Sequence, residues 1–174
     1  MNMAGTVYWI TGLSGAGKTT IGSLLYEDLR REKNNIIYLD GDILRSVFGE
    51  ETGYTREERF ELSNRYSLLC KLLSEQNIDI VCATISMFSE IRKKNRKEIK
   101  NYIEIYIKVP IEILIKRDQK KLYSRALQSE IKDVMGVDVK IEEPEDPDIV
   151  IVNDGSKSPQ KLFGELKIDL CKRG

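Results

Sequence analysis

Apolar positions along the chain alternate between short unbroken runs and longer stretches with helical spacing, and this alternation sets out the elements. Residues 6–11 form an apolar run ending at the first glycine of a Gly-rich turn, after which Ile21, Leu24, Leu25 and Leu29 recur at helical spacing. Strand, loop and helix are expected there. Residues 36–39 predict a second short buried strand ending on Asp40. Thr55 with Glu58 three positions on has the form of a capping box, opening a helix that carries Leu62, Tyr66, Leu69 and Leu73 on one face. Residues 78–85 predict a third strand, followed by a basic helix over 90–100. Residues 102–109 predict a fourth strand, and Pro110 suits the first turn of the next helix. Residues 119–147 break the rhythm. They are charged, hold two of the four prolines and show only a helical patch around 122–131, so a mobile lid with a surface loop is expected. Residues 149–152 predict a fifth strand, and Ser158 followed by Pro159 opens a terminal helix through Leu170. Strands alternating with helices imply a parallel sheet covered on both faces.

The length of 174 residues, 41% of them hydrophobic, allows one well-buried core and is short for two, so a single domain over 1–174 is expected. The 28 basic side chains are balanced by 28 acidic ones, which leaves no electrostatic footprint for nucleic acid or acidic membranes. Any anion must then be held by a local site. The apolar stretch 7–10 is too short for a signal peptide or a membrane span, so a cytoplasmic protein without nucleic-acid or membrane partners is expected. Cys70, Cys82 and Cys171 suggest neither a disulfide framework nor a zinc site, and the first two read as small buried apolar residues. The chain has no histidine, so proton transfer falls to Asp, Glu, Lys or water.

Gly12, Leu13, Ser14, Gly15, Ala16, Gly17, Lys18 and Thr19 fit the P-loop pattern of Gly, any four residues, Gly, Lys, then Ser or Thr. The glycines let backbone N–H groups turn inward around the β-phosphate, where a helix N-terminus adds positive potential. Lys18 would reach the β- and γ-phosphates and the Thr19 hydroxyl would ligate Mg²⁺. The motif, placed between a strand and a helix, predicts an ATP-dependent phosphotransferase. Asp40, Gly41 and Asp42 fall at the carboxyl end of the second strand, which in an open parallel sheet faces the same crevice. A carboxylate there can orient an acceptor hydroxyl or hold a magnesium-bound water, and Arg45, one turn on, can grip an anionic acceptor. A solvated Asp-Gly turn and a solvated arginine are the bland alternatives.

With these pieces aligned, the sequence resembles the adenylylsulfate kinase family over nearly the whole chain. The resemblance is carried by residues 9–19, by 39–45, by Gly53, Tyr54, Thr55, Glu58, Arg59, Phe60 and Glu61, and by Ala83, Ile85, Ser86, Arg92 and Arg96. It continues through Arg117, Asp118, Lys120, Leu122, Tyr123, Ala126, Glu130, Ile131, Lys132, Gly136, Glu143 and Pro144. It implies an α/β P-loop NTPase fold, a three-layer sandwich with a five-stranded parallel sheet, helices on both faces and a mobile lid. It further implies ATP and Mg²⁺ as cofactors and phosphorylation of the 3′-hydroxyl of a small nucleotide. The resemblance makes Lys18, Asp42 and Arg45 the catalytic residues, with Asp42 holding or deprotonating the acceptor hydroxyl. ATP would be bound by Gly12, Ser14, Gly15, Ala16, Gly17, Lys18, Thr19 and Thr20, with Arg117 near its base. The acceptor would meet Asp40, Arg45, Tyr54, Arg59, Leu62, Ile85, Ser86, Lys120, Leu122 and Val134, with Arg45 and Arg59 clamping its phosphosulfate and Tyr54 stacking on its base. Thr19 and Asp42 would serve the metal. A homodimer is left open.

Four departures bear on the acceptor. Leu62 stands where the family usually has asparagine, Thr84 where it has phenylalanine, Met87 where it has proline, and Val134 where a second aromatic closes over adenine. Losing one ring of a stacking pair removes about 1 to 3 kcal/mol of base contact. The chain is similar to the subgroup associated with surface polysaccharide modification, among which cytidine diphosphoramidate kinases perform an analogous 3′-phosphorylation, and that acceptor is slightly preferred. A true adenylylsulfate kinase and a non-catalytic nucleotide sensor are the alternatives. A regulatory GTPase would need an Asn-Lys-any-Asp run, which the sequence lacks.

Overall fold

The computed structural model describes residues 4–48, 53–118 and 121–173. Among them, strands β1 (Thr6–Thr11), β2 (Ile36–Asp40), β3 (Asp79–Thr84), β4 (Asn101–Lys108) and β5 (Ile149–Val152) pair in parallel in the order β2-β3-β1-β4-β5. The helices are α1 (Lys18–Leu29), α2 (Gly41–Phe48), α3 (Arg56–Glu75), α4 (Ser89–Glu98), α5 (Ile111–Arg117), α6 (Leu122–Leu127) and α7 (Pro159–Cys171). β3 is buried throughout and β1 nearly so, as unbroken apolar runs in a sheet covered on both faces require.

Connection handedness sorts the helices. The step from β1 to β2 runs toward one edge of the sheet and the later steps run the other way, so right-handed crossovers put their helices on opposite faces. Accordingly α1 packs with α7 and α3 with α4. The P-loop sandwich expected from the sequence is the observed fold. Trp9, Tyr123 and Phe88 are the largest fully buried side chains of its core. Cys70 and Cys82 are buried in it, while Cys171 is exposed.

The termini of the helices show how local sequence fixes them. Thr55 Oγ1 accepts from the Glu58 amide at 3.3 Å while Glu58 Oε2 accepts from the Thr55 amide at 3.0 Å, completing the expected capping box of α3. Leu62 and Tyr66 face inward from it, with Leu69 and Leu73 packed at its margin. Ser158 accepts from the Lys161 amide and Pro159 fills the first turn of α7. Three boundaries differ from expectation. Pro110 is the N-cap of α5 rather than part of its first turn, with an extended ψ of 137°. The basic helix stops at Glu98 because Ile99 is already extended, and the patch around 122–131 is helical only to Leu127.

Within residues 121–148, Tyr123, Val134, Met135 and Val139 are buried in the core. Tyr123 is 1% exposed. Glu142 fastens the far end, since its carboxylate accepts from Arg56 and from the Ser89 amide, its carbonyl from Arg92, and its own amide donates to the Met87 carbonyl.

Candidate active site

The register of the sheet brings three loops side by side. Thr11 lies beside Thr84 and Asp40 beside Ala83, so the chain leaving β1, β2 and β3 opens onto one crevice at the carboxyl ends of the strands. The loop 12–17 needs its glycines for room. A Cβ on Gly12 would stand 2.6 Å from the Ile107 carbonyl oxygen, and Gly17, at φ 99°, would bring one within 3.0 Å of Asn153 Nδ2. Gly17 caps α1, whose first turn has neither a side-chain cap nor an acidic residue. The helix therefore presents uncapped N–H groups and positive potential, suited to an anion.

Side chains hold the carbonyls of this loop. Lys18 Nζ donates to the Leu13 carbonyl at 2.8 Å, and Tyr123 donates to that of Ser14 at 2.8 Å. Arg117 donates to Gly15 at 3.3 Å and also to the Asn153 carbonyl and side-chain oxygens, while Asn153 Nδ2 donates to Ala16 at 2.8 Å. Arg117, expected near the ATP base, lies against the loop 12–17 in this structure.

Asp40 is 8% exposed and ties the loop to the next strand. Its Oδ2 accepts from Thr19 Oγ1 at 2.9 Å and from the Tyr38 hydroxyl at 3.1 Å, and its Oδ1 accepts from the Asp42 amide at 2.9 Å. Burial, followed by the Asp40 charge, pushes the Tyr38 phenol well upward, so it stays a donor. The Asp-Gly-Asp segment is more than a turn. Gly41 begins α2, whose opening amide Asp40 caps, and Asp42 is exposed on its first turn. The carboxylate at the Thr19 hydroxyl is that of Asp40.

Tyr54 is 56% exposed, and two guanidinium groups approach its ring, Arg45 at 4.4 Å and Arg59 at 5.1 Å from its centre. Cation–π attraction of this kind favours both contacts. Arg45 donates to the Gly53 carbonyl, and Arg59 to those of Tyr54 and Asp133. Burial and the neighbouring Arg45 charge lower the Arg59 pKa, the signature of two cations gathered on one wall.

Ser86 is fully buried after β3. Its carbonyl accepts from Thr11 and Arg92, and its hydroxyl has no protein partner among the described residues. Arg92 is itself buried and paired with Glu104 at 3.1 Å, bracing this loop against β4. Ile85 is half-buried beside it. Leu62 and Val134, at 3% and 2% exposed, pack in the core, so neither presents a surface to the crevice here. Leu122 is partly buried against the same core. Thr20 is exposed on α1, and Lys120 lies outside the described residues. Sequence reasoning missed Asn153 and gave Tyr123 no task. The available signal for Asn153 was its place at the carboxyl end of the last strand.

Residues 4–152 match the family model of adenylylsulphate kinase. The chain belongs to that family. It is accordingly an ATP-dependent phosphotransferase with an alcohol group as acceptor. It is 48% identical to the cytidine diphosphoramidate kinase of Campylobacter jejuni over 147 residues, covering 84% of this chain and 85% of the relative. It is also 37% identical to the adenylyl-sulfate kinase of Halothermothrix orenii, covering 88% of this chain and 83% of that protein. Among solved structures, the APS kinase of Mycobacterium tuberculosis in complex with AMPPNP and APS superposes with a TM-score of 0.86 at 28% identity, covering 96% of this chain and 98% of the other.

Proposed function

We propose that this kinase transfers the γ-phosphoryl group of ATP to the 3′-hydroxyl of a nucleotide carrying an activated acid group, and that it prefers cytidine diphosphoramidate to adenylylsulfate. The observation that carries the preference is that, among the described residues assigned to the acceptor, Tyr54 supplies one exposed ring. Tyr54 is exposed with Arg45 and Arg59 beside its ring, while Val134 is buried and Phe88, 1% exposed, meets Phe60 edge-on. One ring serves a pyrimidine better than a purine, since stacking scales with shared area. The similarity to the Campylobacter jejuni enzyme supports the same reading.

In this account the loop 12–17 and the N-terminus of α1 receive the ATP phosphates, and Lys18 moves from the Leu13 carbonyl to the transferring group. Asp42 orients the acceptor hydroxyl from the first turn of α2. The two arginines hold the acceptor's charged phosphate groups. Mg²⁺ suits this donor set. A threonine hydroxyl beside one carboxylate, with phosphate oxygens and water completing the shell, matches the oxygen-only, partly hydrated coordination of that ion, so Thr19, Asp40 and Asp42 would hold it. Bound there, it would neutralise charge developing on the phosphates. Residues 119–147 serve as the lid.

Steady-state kcat/KM for the two acceptors under identical conditions tests the preference. The cytidine compound is expected to be used at least as well. A value for adenylylsulfate more than about tenfold higher, equivalent to ~1.4 kcal/mol, would overturn it.

A further inference from the structure

Four consecutive carbonyls of the phosphate loop, those of residues 13–16, each accept from a different side chain. Lys18 takes Leu13, Tyr123 takes Ser14, Arg117 takes Gly15 and Asn153 takes Ala16. The donors come from α1, α6, α5 and the residue after β5, so the sheet must fold before they can converge. Because the peptide unit is planar and trans, a carbonyl fixed outward keeps the following N–H aimed the other way. The N–H groups governed in this way by Tyr123 and Asn153 belong to Gly15 and Gly17. Both residues have positive φ, at 76° and 99°, and neither has a side chain to resist rotation of its peptide. A flip of either peptide would turn an oxygen, with its partial negative charge, toward the phosphates.

We propose that Tyr123 and Asn153 are positioning residues for polyphosphate binding, holding the Ser14 and Ala16 carbonyls outward so that the Gly15 and Gly17 amides stay directed at ATP. Each donor is chemically unambiguous. Arg117 can only donate, so the Asn153 oxygen must face it, which leaves Nδ2 for Ala16. Burial pushes the Tyr123 phenol up to about 12, so it keeps its proton across the neutral range. The Asp118 carboxylate accepts from the amides of Tyr123 and Ser124, which seats the tyrosine at the start of α6. This inference rests on residues 12–19 being the ATP phosphate site and is independent of the acceptor.

Tyr123→Phe removes a single oxygen, and Asn153→Asp keeps an acceptor toward Arg117 while removing the donor toward Ala16. Calorimetric titration with AMPPNP and Mg²⁺ reads polyphosphate binding, and competition with adenosine reads the nucleoside alone. Each variant is expected to lose about tenfold in AMPPNP affinity, or ~1.4 kcal/mol, with adenosine affinity changed less than about twofold. Equal losses for the two ligands, or an unchanged AMPPNP affinity in a folded variant, would overturn the positioning role. Tyr123→Phe decides the matter alone should Asn153→Asp fail to fold. Failure of the unmodified protein to bind AMPPNP would instead overturn the assignment of the phosphate site.

Discussion

The Thr19 hydroxyl donates to Asp40 Oδ2 at 2.9 Å, joining the end of the phosphate loop to the end of β2. Asp40 is buried there with two further donors, Tyr38 and the Asp42 amide, so its carboxylate has one fixed orientation. Asp40→Asn keeps the size and one acceptor oxygen but loses the charge. The concentration of Mg²⁺ needed for half-maximal activity is expected to rise about tenfold, in line with the loss of a group that holds or orients a metal ligand. An unchanged Mg²⁺ dependence would leave Asp40 with only its role in capping α2.

Asp42 lies two positions on in a different environment, exposed on the first turn of α2. Asp42→Asn is expected to lower kcat by at least about a hundredfold with little change in ATP affinity, because general-base or orienting action on the hydroxyl contributes on that order. Rapid-quench turnover with parallel nucleotide titration checks both numbers. Loss of ATP affinity at unchanged kcat would make Asp42 a donor-site residue instead.

Tyr54 links the two arginines of the acceptor wall. Tyr54→Ala is expected to raise the acceptor KM about tenfold while leaving the ATP KM within about twofold, since base stacking is worth about 1–3 kcal/mol. A rise in both constants would show that the ring organises the crevice as a whole.

Much of this arrangement was legible in the sequence, and the exceptions have physical causes. The inner strands announce themselves because strands buried on both faces need unbroken apolar runs, as 78–85 shows, whereas Val150 and Val152 of the edge strand β5 are exposed. The capping box of Thr55 and Glu58 is local chemistry and was readable as such. The helix α2 was not, because it opens on a glycine, a weak helix former, and its start is fixed by Asp40 and by packing against β3. Gly41 tolerates that position: a Cβ there would lie 3.2 Å from the Ala83 carbonyl. Asn153 escaped notice since its partner Ala16 is 137 residues away, and only the closed sheet brings them together. Leu62 and Val134 were read as substitutions in a pocket, yet both side chains lie in the core, a distinction that periodicity does not carry.

Asp148 contributes to the pH dependence of stability where Arg96 of α4, the Glu104 amide of β4 and Arg173 after α7 meet. Burial alone would raise its carboxyl, but hydrogen bonds from Arg96 and the Glu104 amide, with the Arg96 and Arg173 charges, outweigh it and hold it below its ordinary value of 3.8. A carboxyl depressed on folding contributes stability that is present above its unfolded pKa and lost as pH falls through its folded one. Asp148→Asn is therefore expected to cost about 1–3 kcal/mol at pH 7, and the gap from the unmodified protein is expected to close as the pH drops below about 3.8. Urea denaturation at a series of pH values measures it. A gap that persists unchanged at low pH would assign the effect to packing.

The most direct measurement of the central claim is the mass of the product. The unmodified protein and its Lys18→Ala variant are incubated with ATP, Mg²⁺ and either cytidine diphosphoramidate or adenylylsulfate, and the acceptor is followed by mass spectrometry with fragmentation to locate the new group. The account predicts one added phosphoryl group on the ribose 3′-oxygen with stoichiometric ADP, and no transfer by the folded variant, because the ammonium that stabilises charge on the transferring group is gone. ATP binding without phosphorylation of either acceptor, or near-normal transfer by Lys18→Ala, would contradict it.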